Sequence, residues 1–420
     1  MKRQKSFAQL LYSATKAGSF NWPEFHLKLN QPGFLRMTPQ FDTPTALPSA
    51  KEELHPLAPG EALPHRKIIR SWLLPMAERS TVRAFALLAF DYALLSALLA
   101  GVVLLESAWL MLLCGMAAGF VIGRLFVIGH DGCHNSLTPH RKLNHWLGRI
   151  AFLPSLTAYS LWDVGHNMVH HGFTNLKGVD FVWAPLTLTE YQALSPPGWL
   201  MQRIYRSGWG PGLYYMVEIW WKKMMFPKRA SNNPARQRVF MLDCLLVCAF
   251  ALLWAGALVG ASFAVGRSPW LVLLFGLAVP LLFWFNMMGF VIYGHHTHVR
   301  VSWHDDRATW QRAQPFVSTT VHLTFRYYIG SMLHHIMEHT AHHVDMSIPL
   351  YKLRQAQGKL EELLPGRIVV QPFSMAWYFD TARACKLYDF KRNCWTDFEG
   401  VATSMPRASA LESAQPLAAH

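Results

Sequence analysis

Three histidine clusters in this 420-residue chain have the spacing that metal binding needs. The first is His130-Asp131-Gly132-Cys133-His134 and the second is His166-Asn167-Met168-Val169-His170-His171. The third is His339-Thr340-Ala341-His342-His343, with His334 and His335 just upstream. Neutral imidazole is the commonest metal-binding side chain, so several such sets point to a polynuclear metal centre. On a helix, His130 and His134 share one face, and His166 and His170 repeat that spacing with His171 about 100° round. His339, His342 and His343 form one narrow stripe. A fourth group, His295-His296-Thr297-His298, supplies His298 as one more ligand. The candidate ligands are therefore His130, His134, His166, His170, His171, His298, His339, His342 and His343. They exceed the roughly four that one zinc site takes, and they fit two metals with positions left open. Iron is the usual metal where nitrogen ligands activate dioxygen. His295, His296, His335, Asp131 and Glu338 are candidates either for the metal or for hydrogen bonds to its ligands. Asp163, Asp180 and Asp345 stay open between that role and solvated loop charge.

The elements that must position these residues are hydrophobic. The chain is 52% hydrophobic and only 15% charged. Apolar runs at 82–105, 109–128, 239–265 and 269–292 are each long enough to cross roughly 30 Å of hydrocarbon as a helix. Short connections around Glu106 and at Gly266-Arg267-Ser268 pair them into two hairpins. Nearly all basic residues lie outside those connections. The positive-inside rule then places both termini, the 129–238 segment and every histidine cluster in the cytoplasm. We expect an integral protein of a bacterial inner membrane. The formal charge of +14 comes with no nucleic-acid motif. Lys222, Lys223, Lys228 and Arg229 after Trp220-Trp221 instead suit an anionic lipid interface. Arg124, inside the second run, reads as a side chain snorkelling to that interface rather than one meeting a substrate carboxylate or headgroup. Six cysteines without a CxxC pair exclude an iron–sulfur cluster and a zinc ribbon, and they suit a reducing compartment.

The outer segments are less apolar. Residues 1–81 read as cytoplasmic or interfacial, with a Pro-rich linker at 31–64 and no signal-peptide core. Leu353, Ala356, Leu360, Leu363 and Leu364 give helical spacing over 351–364. Residues 366–420 read as a cytoplasmic extension with an Ala/Ser/Pro-rich disordered tail.

These features together resemble the membrane-bound fatty acid desaturase superfamily. The match is closest to omega-6 (delta-12) acyl-lipid desaturases. It rests on Gly129-His130-Asp131-Gly132-Cys133-His134, the second box, His295-His296-Thr297-His298, and the run from His334 to His343. The stretch from Thr174-Asn175 through Asp180 to Trp183-Ala184-Pro185 adds to it. Box two has three residues between its first histidines where that type usually has two. Box one has Gly132-Cys133 in the reverse of the common order.

The resemblance covers 82–365 and implies an all-α integral membrane domain. Its four transmembrane helices in two hairpins would carry a cytoplasmic helical cap with a di-iron site. It also implies oxygen-dependent desaturation of a fatty acyl chain, with O2 as co-substrate. A separate ferredoxin or cytochrome b5-type protein would donate electrons. Hydroxylase, acetylenase and alkene-forming decarboxylase are alternatives on the same scaffold. A metal transporter is a further alternative, but it would need ligands within mid-membrane helices, whereas these apolar runs lack histidine.

Overall fold

The computed structural model describes residues 54–58, 60–226, 234–313 and 315–406. Most of the Pro-rich linker, Lys228, Arg229 and the end of the tail lie outside the described residues. All four apolar runs are helices. They are α2 (Thr81–Leu104), α3 (Ala108–His134), α6 (Pro234–Ala264) and α7 (Pro269–His296), each long and apolar enough to cross a membrane. The helix α1 (Arg66–Leu73) precedes them. Between the spans come α4 (Arg141–Phe152) and the short α5 (Tyr159–Asp163).

Span α3 is the centre of the fold, with 61% of its apolar window buried against 22–33% for the others. Its small residues explain the close packing. An added Cβ at Gly115 would lie 2.4 Å from the Phe275 carbonyl oxygen, and one at Gly119 would lie 2.6 Å from that of Pro280. Two glycines four residues apart thus let the α3 and α7 backbones approach along one face. The helix does not stop at the end of its apolar run. It continues to His134, where Asn135 caps it in the left-handed conformation.

Arg124 does not snorkel. Its Nε donates to Asp91 Oδ1 of α2 at 2.7 Å, and its Nη1 donates to the Met332 carbonyl at 2.5 Å. His334 Nε2 meets the other Asp91 oxygen at 2.9 Å. A buried carboxylate in direct reach is a stronger draw for a guanidinium among apolar helices than the interface.

After the spans come α8 (His339–Val344) and α9 (Leu353–Leu363). Leu353, Ala356, Leu360, Leu363 and Leu364 are all buried, as their spacing predicts. With Ile69, Leu73, Val344 and Ile348, all of these but Leu363 hold α1, α8 and α9 together. The fold is mostly helical rather than wholly so. β1 (Val321–Thr324) pairs in parallel with β2 (Val369–Pro372), and β3 (Leu387–Asp389) pairs antiparallel with β4 (Cys394–Thr396). Strands this short carry no readable two-residue period, so the sequence does not announce them.

Candidate metal centre

Nine imidazoles converge in two groups. His130, His134, His166, His171 and His342 form one, and His170, His296, His339 and His343 form the other. Three elements explain the division. The carboxyl end of α3 delivers His130 and His134. After α5 the chain forms a π turn over Val164–His170, in which the His171 N–H donates to the His166 carbonyl at 2.9 Å. That i→i+5 step is how a helix absorbs one additional residue. It puts His166 and His171 in the first group and sends His170 to the second. The α-helical pairing of His166 with His170 expected from their spacing is therefore replaced. Helix α8 divides its stripe as well, with His342 facing the first group and His339 and His343, one turn apart, facing the second.

The ninth grouped imidazole is His296, the last residue of α7, and His298 belongs to neither group. The helix ends there and Thr297 is extended, so His298 is carried away. His298 Nε2 meets Gln371 Oε1 at 3.3 Å, and its Nδ1 accepts from the Arg300 N–H. His295 also stands outside both groups. It stacks on His339 at 3.7 Å with Nε2 against Met337 Sδ. His335 pairs with Glu338 at 3.0 Å, and neither joins a group.

The ring nitrogens determine what can occupy the centre. His170 Nδ1 lies 3.1 Å from each oxygen of Asp180, a carboxylate also held by the Asn175 and Val182 N–H groups. His296 Nδ1 donates to the Thr319 carbonyl. The Thr174 hydroxyl donates to the His170 carbonyl, so its oxygen accepts from His343 Nδ1. Three of the four rings in this group thus carry their proton on Nδ1 and point an Nε2 lone pair inward. His296 Nε2 and His343 Nε2 lie only 3.1 and 3.0 Å from His339 Nε2.

In the first group a chain of Nε2 contacts runs His134–His130–His166–His171–His342 at 2.7–3.2 Å. One Nε2 holds either a proton or a lone pair, so hydrogen bonds do not satisfy such a chain. A cation does. Metal–nitrogen bonds of about 2.1 Å would set neighbouring ligands about 3 Å apart, as these are.

Burial adds to this. Desolvation first, and neighbouring imidazoles second, push His166, His171, His339, His342 and His343 well below the usual histidine range. They are neutral at pH 7, the form that binds metal. The residues present therefore fit a pair of metal ions.

The carboxylate behind a ligand is Asp180, which the sequence left open. Asp131 Oδ1 is 3.6 Å from His130 Nδ1, and its other oxygen accepts from the Leu350 N–H. Glu338 serves His335. Thr174 and Thr319 were not foreseen, because a hydroxyl and a backbone carbonyl leave no signature in sequence.

An apolar cavity opens against both groups. Its walls include Phe126, Trp162, Trp284, Met287, Met288, Leu333 and Ile336, together with His130, His166, His170, His296 and His339. Of the aromatic and methionine side chains along this part of α7, Trp284, Met287 and Met288 line it, and Phe283, Phe285 and Phe290 do not.

Residues 107–373 match the family model described as fatty acid desaturase. The chain belongs to the fatty acid desaturase family. An sn-1 oleoyl-lipid 12-desaturase of Synechocystis is 28% identical over 83% of this chain and 94% of its own length. The chloroplastic omega-6 fatty acid desaturase of Glycine max is 28% identical, over 61% and 58% of the two chains. An sn-1 acyl-lipid omega-3 desaturase (ferredoxin) of Synechocystis is 27% identical, over 68% and 77%. The desaturase assignment accounts for both features of the site, the histidine-lined metal positions and the apolar cavity beside them.

Proposed function

We propose that this desaturase inserts a double bond into the acyl chain of a membrane lipid, as an omega-6-type enzyme with two irons. Four spans would form two hairpins in a bacterial inner membrane, with the histidine groups and both termini on the cytoplasmic side. The observation that carries this reading is the meeting of two groups of inward-facing imidazoles with one apolar cavity. His130, His134, His166, His171 and His342 would hold one iron, and His170, His296, His339 and His343 the other. When bound, the irons supply, with dioxygen, the oxidising power that an unactivated methylene pair demands.

The chain's own residues do the rest. Asp180, Thr174 and Thr319 orient imidazoles, and a rigid ligand shell keeps the reacting position fixed. Phe126, Trp162 and Trp284 exclude water from the acyl chain beside the metals. Two electrons per turnover would come from a separate acidic ferredoxin or b5-type protein, drawn to the basic cytoplasmic face. The relative named with ferredoxin supports that class of donor.

The test is expression in a host of known lipid composition, followed by fatty-acid profiling and iron analysis of the purified protein. A new unsaturated acyl chain that disappears in His342→Ala is expected. A hydroxylated or terminal-alkene product would redirect the assignment, and an unchanged profile would end it.

A further inference from the structure

The segment between β1 and α8 has an unusual surface. Tyr327 is 90% exposed, Tyr328 80%, Met332 51% and Ile329 39%. Large apolar and aromatic side chains in one short stretch mark a contact surface. Its depth identifies the partner. The segment is tied to the spans by the Arg124 bond to the Met332 carbonyl and by His334 on Asp91.

Asp91 stands thirteen residues before the end of α2 at Leu104, and Arg124 sixteen after the start of α3 at Ala108. At the helical rise these are about 20 and 24 Å from the short connection between the two spans. Both fall short of the roughly 30 Å of hydrocarbon that the spans cross. The tie points therefore lie inside the bilayer, by about 6–10 Å from its near edge. Any tilt of the helices moves them deeper. The exposed surface also continues onto a span, because Arg124 lies over the ring of Phe90, which is 59% exposed on α2.

We propose that residues 326–332 are seated in the near leaflet, with Tyr327, Tyr328, Ile329 and Met332 in contact with membrane phospholipid. Tyrosine suits that depth, with an apolar ring and a hydroxyl that reaches the headgroups. The neighbouring Leu333 and Ile336 line the cavity. The segment is thus a partition, with bilayer on one side and the metal-side cavity on the other. This placement rests on the membrane-spanning reading above.

The test is site-specific photo-crosslinking of the full chain in phosphatidylethanolamine–phosphatidylglycerol nanodiscs. Tyr328→p-benzoylphenylalanine and Met332→p-benzoylphenylalanine are the two probes. Leu252→p-benzoylphenylalanine, on the exposed face of α6, is the lipid-facing control, and Val401→p-benzoylphenylalanine is the aqueous one. Phospholipid adducts at 328 and 332, within about threefold of the yield at 252 and absent at 401, are expected. Adducts at 252 without any at 328 or 332 would overturn the placement and leave the spans intact. Equal labelling at 401 would overturn it too. A bare 252 would remove the spanning reading itself, and this placement with it.

Discussion

The Nε2 atoms of His296 and His339 lie 3.1 Å apart, one at the end of an apolar span and the other at the start of α8. This contact joins α7 to α8, and it makes His296 the residue whose loss distinguishes ligand from neighbour. His296→Ala is expected to lower bound iron from about two per chain toward one and to cut desaturation at least 100-fold. His298→Ala, two residues on, should keep both within about threefold. Iron analysis beside product quantification checks the pair.

Asp180 acts through His170. Removing a carboxylate behind a metal-bound histidine typically costs 10–100-fold in metal affinity or activity. Asp180→Asn is expected to fall in that range, with Asp131→Asn and Glu338→Gln falling less. Competition with a chelator of known affinity gives the measurement.

The Asp91–Arg124 pair is a buried one, with side chains 0% and 13% exposed. Breaking such a pair from one side costs about 3–5 kcal/mol, because the remaining charge loses its ionic partner and keeps only a hydrogen bond, Asp91 with His334 or Arg124 with the Met332 carbonyl. Asp91→Ala and Arg124→Ala should each lower the unfolding temperature in detergent markedly. Asp91→Leu combined with Arg124→Met should recover most of the loss. A double variant no better than either single one would contradict this account.

Asp163, outside the spans, has its carboxyl pushed up to about 6 by burial, against the hydrogen bond from Asn167. The folded protein thus holds this proton more tightly than the unfolded chain does. The group's contribution to stability therefore falls as pH rises from about 4 to 6, and stays lower above that. Asp163→Asn should match wild type near pH 4 and be the more stable of the two above pH 6. Chemical unfolding at both ends of that window reads the crossover.

Gly123 borders the cavity, and a Cβ there would lie 1.6 Å from Met287 Cε. Gly123→Leu is expected to constrict the cavity and shift preference toward shorter acyl chains. Competing sixteen- and eighteen-carbon substrates, with products resolved by chain length, would show the shift. An unaltered ratio would place the acyl chain elsewhere.

The helical spans and the identity of the chemistry were legible in the residues alone. Long apolar runs have few ways to exist besides helices, and histidine boxes of this spacing have few uses besides metal. The amphipathic 351–364 stretch was equally plain, since one buried stripe follows directly from a helical period. Eight of the nine grouped imidazoles stood among the candidate ligands, and the ninth, His296, stood as a candidate either for the metal or for hydrogen bonds to its ligands. That His296 joins a group and His298 does not depends on where α7 ends. The grouping of His166 with His171 depends on a π turn, and the backing of His170 depends on a carboxylate whose orientation no spacing reveals. Arg124 was misread for the same reason, because its partner Asp91 is distant in sequence and meets it only when α2 packs on α3. Local periodicity is written along the chain. Which lone pairs face one another, and which charges are buried together, are properties of the packed molecule.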